Sequence, residues 1–246
     1  MKITDEVWKT EALSKTFLEG VHGAIPLAAE QIDVMLRVIR TDRPNERILD
    51  LGCSDAILGQ AVLTQYPDTE GVFLDFSEAM IQAAKTRLSS KHKRVEFIIQ
   101  DFGKAEWVNA VRDKGLFDVI VSGFAIHHQP HERKSEIYQE ILQLLKSGGI
   151  FINIEHIASR PRWVEGITNE LFIDSLYNFH QKQGSHKSRS EIAQAYYNRP
   201  DKEANILEDV ETQCDWLRNL GFLHVNCYMK ILELAVFGRI RPHETS

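Results

Sequence analysis

The stretch that most constrains this chain is Arg47-Ile48-Leu49-Asp50-Leu51-Gly52-Cys53-Ser54-Asp55-Ala56. An apolar run carrying one acid leads into a glycine, and small residues then open an amphipathic segment. That order describes a buried strand turning tightly into a helix. Glycine at the turn lets backbone approach a ligand, and the first amides of the helix beyond have no partners within it. The turn is therefore where a ligand is expected.

The same alternation continues downstream. Strand patterns fall at 46–51, 72–74, 95–99, 118–121 and 150–154, with helix patterns near 56–65, 77–90, 104–113, 131–146 and 164–182. Apolar strands separated by helices imply a parallel sheet covered on both faces. In such sheets ligands bind beyond the carboxyl ends of the strands, where strand order reverses. After a polar excursion over 184–200 and a helix near 208–220, two apolar runs at 225–229 and 232–237 lie too close for a helical crossover. They must pair as a hairpin, which makes the last strand antiparallel.

The expected fold is thus α/β, a doubly wound, mostly parallel seven-stranded sheet with a C-terminal antiparallel hairpin and an N-terminal helical cap. The cap, residues 1–45, holds two helical patterns: Val7, Trp8, Leu13, Phe17 and Leu18 over 5–20, and Ala28, Ile32, Met35, Leu36 and Ile39 over 26–40. Such helices either pack on the sheet edge or cover the ligand. Residues 46–246 form the main domain, with an insertion on the substrate side at about 160–207.

Composition narrows the function. With 246 residues, 43% of them hydrophobic, the chain can bury one sizeable core. No run of about 18 apolar residues is present to span a membrane, and the charged N-terminus lacks the apolar core of a signal peptide, so a cytoplasmic location is expected. Cys53, Cys214 and Cys227 are too scattered for a disulfide framework or a zinc site, and no metal is expected. A net charge of −6 argues against a large phosphate-binding surface, and Lys91-His92-Lys93-Arg94 reads as a solvated turn.

A dinucleotide fingerprint requires G-x-G-x-x-G, but its second and third glycine positions hold Ser54 and Ile57. Acid-x-Gly-x-small-x-small instead resembles the first motif of the class I S-adenosylmethionine-dependent methyltransferases. Further motifs follow in order through residues 46–156. Val72-Phe73-Leu74-Asp75-Phe76-Ser77 ends a strand in an acid 25 residues beyond Asp50, and then come Ile98-Ile99-Gln100-Asp101-Phe102 and the run from Phe117 to His128. Leu145-Lys146-Ser147-Gly148-Gly149 is similar to the family's L-K-P-G-G turn. Ser54 and Ala56 replace two glycines of the pattern and Ser147 its proline, although side chains as small as those at 54 and 56 still permit close approach.

The resemblance implies S-adenosylmethionine as cofactor and S-adenosylhomocysteine as product. It places Asp50, Gly52, Cys53 and Ser54 at the cofactor, Asp75 on the ribose hydroxyls with Phe76 beside it, and Met80 over the adenine. Asp101 would meet the adenine amino group, Phe102 the ring, and Ser122 the methionyl portion. Each has a plainer reading: Asp75 and Asp101 suit helix N-termini, and Met80 suits a core.

Methyl transfer is an in-line displacement in which the protein supplies alignment and a dry cavity, and a hydroxyl nucleophile also needs a base. His127 and His128, after the fourth strand, are the candidates for that base, His127 first. Glu155 and His156, ending the fifth strand, are expected on the substrate rim. Tyr196, Tyr197 and Arg199, with Arg160 and Arg162, could grip an anionic group on a small-molecule acceptor. Three alternatives stay open. Residues 211–222 resemble a helix of carboxy-S-adenosylmethionine synthases; the fold could serve as a non-catalytic cofactor-binding module; and RNA modification is disfavoured by the acidic balance. The oligomeric state, a homodimer included, is not set by the sequence.

Overall fold

The computed structural model describes residues 24–39, 46–88 and 92–242. The first expected helix, at 5–20, lies outside the described residues, as does Lys91 of the basic turn. Strands β1 (Arg47–Leu51), β2 (Glu70–Asp75), β3 (Val95–Ile99), β4 (Phe117–Gly123), β5 (Leu145–His156), β6 (Leu223–Ile231) and β7 (Leu234–Ile240) form one sheet, ordered β3-β2-β1-β4-β5-β7-β6. β1 to β5 run parallel, and β7 pairs antiparallel with both β5 and β6. The hairpin expected from the two terminal apolar runs is therefore present, and Leu232 takes the left-handed conformation at its two-residue turn.

Helices α1 (Ala28–Ile39), α2 (Ile57–Gln65), α3 (Glu78–Leu88), α4 (Trp107–Arg112), α5 (His131–Leu144), α6 (Arg162–Lys182), α7 (Arg189–Tyr197) and α8 (Val210–Asn219) complete the described chain. Alternate strand residues face opposite layers. On one side Ile48, Val119, Val121 and Ile152 pack under α1, α2 and α3. On the other Leu49, Leu51, Ile120 and Phe151 pack under α4, α5 and α8. Burial on both faces is why the strands read as nearly continuous apolar runs.

Two local expectations change. The polar excursion over 184–200 contains α7, which a capping box opens: the Glu191 amide donates to the Ser188 side chain, and the Ser188 amide donates to the Glu191 carboxylate. α5 ends at Leu144, and Leu145 enters β5 directly. The irregular stretch that follows carries Gly148 at φ +75°, with Gly149 so tight that a Cβ would stand 2.8 Å from the Lys146 carbonyl oxygen.

Candidate active site

Strand order reverses between β2-β1 and β4-β5, and a cavity of about 480 Å³ opens there beyond the strand ends. Its inner wall is built from turns. Gly52 and Ser54 follow β1, Asp75 closes β2 with Phe76 and Ser77 beyond it, and Gly123 closes β4 with Phe124 and Ala125 beyond it. The Asp75 carboxylate is fixed by two amides, accepting from Ser54 N and Ser77 N, each at 2.9 Å. Burial pushes Asp75 up to about 6 against those hydrogen bonds. Met80 and Phe102 give the wall apolar surface, and the Ser54 hydroxyl donates to the Met80 sulfur at 3.3 Å.

The turn after β1 is strained where the family pattern has glycines. Ser54 and Ala56 sit at φ 50° and 66°, and Phe124 across the cavity at 49°. Left-handed backbone at non-glycine residues costs about 1–2 kcal/mol each and gathers at functional sites. Gly52, at φ +67°, has a further role that its sequence did not reveal. A Cβ there would lie 2.5 Å from Ala125 Cβ, so its missing side chain admits the loop after β4 as well as a ligand.

Asp50 does not line the main cavity. Its Oδ2 accepts from Gly59 N at 2.8 Å, so the acid of the first motif satisfies an otherwise unpaired amide at the start of α2. Burial first, then the charges of Asp55 and Asp75, push it up to about 8. It borders an adjoining pocket of about 50 Å³ together with Cys53 and Gln31, whose buried Oε1 has no hydrogen-bond partner among the described residues.

The outer wall comes from α6, α7 and the segment after α7. Phe172, Leu176 and His180 recur every fourth residue on α6, so one helix face meets the cavity. Tyr196 of α7 stacks on Phe172 with ring centres 6.1 Å apart, and the Arg199 guanidinium lies 4.0 Å from the Tyr196 ring centre. Arg199 also donates to the Tyr196 carbonyl at 2.7 Å and faces Asp201 at 3.5 Å, so much of its hydrogen bonding is already engaged.

His127 is the best-supported titratable group of the wall. Its Nδ1 lies 2.6 Å from Glu155 Oε2, while Glu155 Oε1 accepts from the amides of Ile126 and His127 at 3.0 and 3.2 Å. A carboxylate only accepts, so Nδ1 carries the proton and Nε2 is left as the basic nitrogen. Burial is the largest influence lowering His127, and burial likewise raises Glu155. The His128 ring lies beside that of His127, with its Nδ1 3.3 Å from the Ala204 carbonyl oxygen, and burial lowers it too.

Of the residues singled out in the sequence, the cavity brings together Gly52, Ser54, Asp75, Phe76, Met80, Phe102, His127, His128, His156, Tyr196 and Arg199. Asp50 and Cys53 border the small pocket, whereas Glu155 lies behind His127. Ser122 is buried below the floor with its hydroxyl donating to the Leu51 carbonyl. Asp101 accepts from Gly103 N in its own loop, and Tyr197 is 42% exposed outside the lining. Sequence reasoning missed Phe172, Leu176, His180, Phe124, Asn205 and the buried Lys134. The four-residue spacing on α6 could have revealed the first three; a lysine in an amphipathic helix gives no such sign.

Residues 48–149 match the family described as methyltransferase domain. The chain is 26% identical to the carboxy-S-adenosyl-L-methionine synthase of Campylobacter lari, over 92% of this chain and 90% of that one. It is 22% identical to the enzyme of the same name from Nautilia profundicola, over 92% and 91%. An O-methyltransferase family protein from Burkholderia thailandensis shares the fold with a TM-score of 0.68 at 14% identity; this chain is covered completely and spans 65% of that longer one. Sheet order, antiparallel ending and a cavity at the strand reversal define a Rossmann-like transferase fold. The match places a methyltransferase domain at residues 48–149 of this chain, from β1 into β5.

Its cofactor is S-adenosylmethionine, and its activity is transfer of that cofactor's methyl group. The inner wall fits this group. Asp75 lines the cavity with a carboxylate able to accept from hydroxyls, Met80 and Phe102 offer apolar faces, and the unpaired Gln31 oxygen that lines the small pocket with Asp50 suits a cationic tail.

Proposed function

We propose that the chain methylates a nucleophile on a small-molecule acceptor seated against α6 and α7, with His127 taking the nucleophile's proton. The His127–Glu155 pair carries this reading, because it sets a basic nitrogen on the wall of a mostly apolar cavity. When bound, S-adenosylmethionine supplies a methyl made electrophilic by the positive sulfur. Asp75 orients the ribose, with Met80 and Phe102 toward the adenine. Phe124, Phe172 and Leu176 exclude water, and Phe172, Tyr196 and the partly engaged Arg199 hold the acceptor. His128 and His156 shape the rim. Residues 160–207 act as the acceptor-binding insertion. No helix of the described residues is long and apolar enough to cross a membrane; three free thiols suit a cytoplasmic setting.

A second reading is favoured by one observation: the carboxy-S-adenosylmethionine synthases align with this chain almost end to end. On that reading the acceptor region would instead serve carboxylation of the cofactor. One experiment separates the two. Labelled methyl donor is offered with a panel of small hydroxy and amino aromatic acids, and the nucleoside co-purifying with the protein is weighed by mass spectrometry. Label moving to an acceptor supports methylation, and a carboxylated cofactor supports the alternative. Label remaining on the donor, with only unmodified S-adenosylmethionine recovered, would count against both.

A further inference from the structure

Lys134 is fully buried on α5, a rare state for lysine unless it is paired. Its ammonium donates to the Ile206 carbonyl oxygen. Ile206 N in turn donates to the His127 carbonyl at 3.0 Å, so the lysine clamps the segment after Ala204 against the backbone of the candidate base. The same segment places Asn205 beside the His127 ring. The acids whose charge acts on Lys134 are Glu155, which holds His127 Nδ1, and Glu208, which also faces His131 at 3.5 Å.

We infer that Lys134 is a positioning residue for the reaction: its buried ammonium keeps Glu155 a carboxylate and His127 neutral, with Nε2, on the side of Asn205, left unprotonated. The reason is charge balance in a poorly solvated space. An isolated Glu–His pair gains by adding a proton to imidazole, because opposite charges attract strongly there. A fixed positive charge nearby already balances the carboxylate and makes a second one on the ring unfavourable. After burial and a neighbouring histidine, His156 for His127 and His128 for Glu155, Lys134 lowers both groups, in the same direction as this argument. The other groups facing the pair are accounted for. His156 ends β5 with its ring centre 6.1 Å from that of His127, and faces Glu233 at 3.6 Å. His128 stacks beside His127, and the Tyr138 hydroxyl donates to Gln213 Oε1 at 2.6 Å. None of these carries a full positive charge at neutral pH, whereas Lys134, which burial lowers to about 8, is still mostly charged at pH 7.

The inference deepens the reading of His127 as base and rests on it only for the purpose of the arrangement. The test is nitrogen NMR of the full chain labelled at histidine, with His127→Gln identifying the signal. In the unmodified protein His127 should be neutral and protonated at Nδ1 from pH 6 to 8; a doubly protonated ring at pH 7 would overturn the inference without any variant. In Lys134→Met, or in Lys134→Gln should the first not fold, the ring should take up its proton at a pH more than about one unit higher. Lys134→Arg, which keeps the charge, should restore the original titration. A merely structural lysine would leave the ring's titration unchanged in every folded variant, and that result refutes the charge role. Turnover of His127→Gln tests the base reading separately: full turnover there would remove the base while leaving the NMR result intact.

Discussion

The two halves of the cavity are built differently. The inner half is made by turns at strand ends, where backbone amides, a left-handed glycine and one carboxylate do most of the work: Ser54 N and Ser77 N hold Asp75, and Gly52 admits Ala125. The outer half is made by side chains on α6, α7 and the segment before α8, with Phe172 stacked on Tyr196, and it faces His127, which a buried acid of β5 backs. Backbone-built sites tolerate little sequence change, because their geometry is covalent and local. Side-chain-built sites can be rebuilt for another acceptor without disturbing the sheet, so specificity is expected to reside there.

The comparison predicts a separation of effects. His127→Ala should lower turnover by about two orders of magnitude and leave S-adenosylmethionine affinity nearly intact, measured with labelled donor and by calorimetry. A large loss of affinity would show that the halves are not independent. Asp75→Ala should do the reverse, weakening cofactor binding by about 1–3 kcal/mol. Unchanged affinity would remove Asp75 from the ribose.

A smaller effect concerns pH. Burial raises Asp75 to about 6 and Asp50 to about 8, so in the ligand-free protein both hold protons to higher pH than ordinary carboxyls. Their contribution to the stability of that state is full below the unfolded value, about 3.9, and is lost as pH rises through about 6 and about 8. A cationic ligand favours the carboxylates. Affinity for S-adenosylmethionine should therefore rise across the same window with proton release, visible in calorimetry with buffers of different ionisation enthalpy. S-adenosylhomocysteine, without the positive sulfur, should show a weaker rise, and equal slopes would mean that the two acids do not sense the charge. Least of all, Ala56→Gly should raise stability by about 0.5 kcal/mol in urea unfolding, because relief of the left-handed strain outweighs one buried methyl; a loss would show that the strain is not stored there.

The inner half was largely legible before the structure, since its residues lie consecutively in short motifs. Asp75, Met80 and Phe102 follow directly from strand ends and do line the cavity. Asp50 marks the limit of such reasoning: the motif shows an acid, but only the packed turn shows that it faces Gly59 N and a side pocket rather than the main cavity. The same holds for Glu155, which reads as a rim residue and lies behind the imidazole.

By itself the sequence determined the alternation of strands and helices from β1 to β5 and the antiparallel ending, because hydrophobic period and turn chemistry are local properties of the chain. Only the tertiary structure decided that Glu155 backs His127, that Phe172 meets Tyr196, and that Lys134 is buried beneath the site. Those pairings join residues far apart in sequence, and burial depends on what packs across from a side chain. No periodicity within a single helix records that.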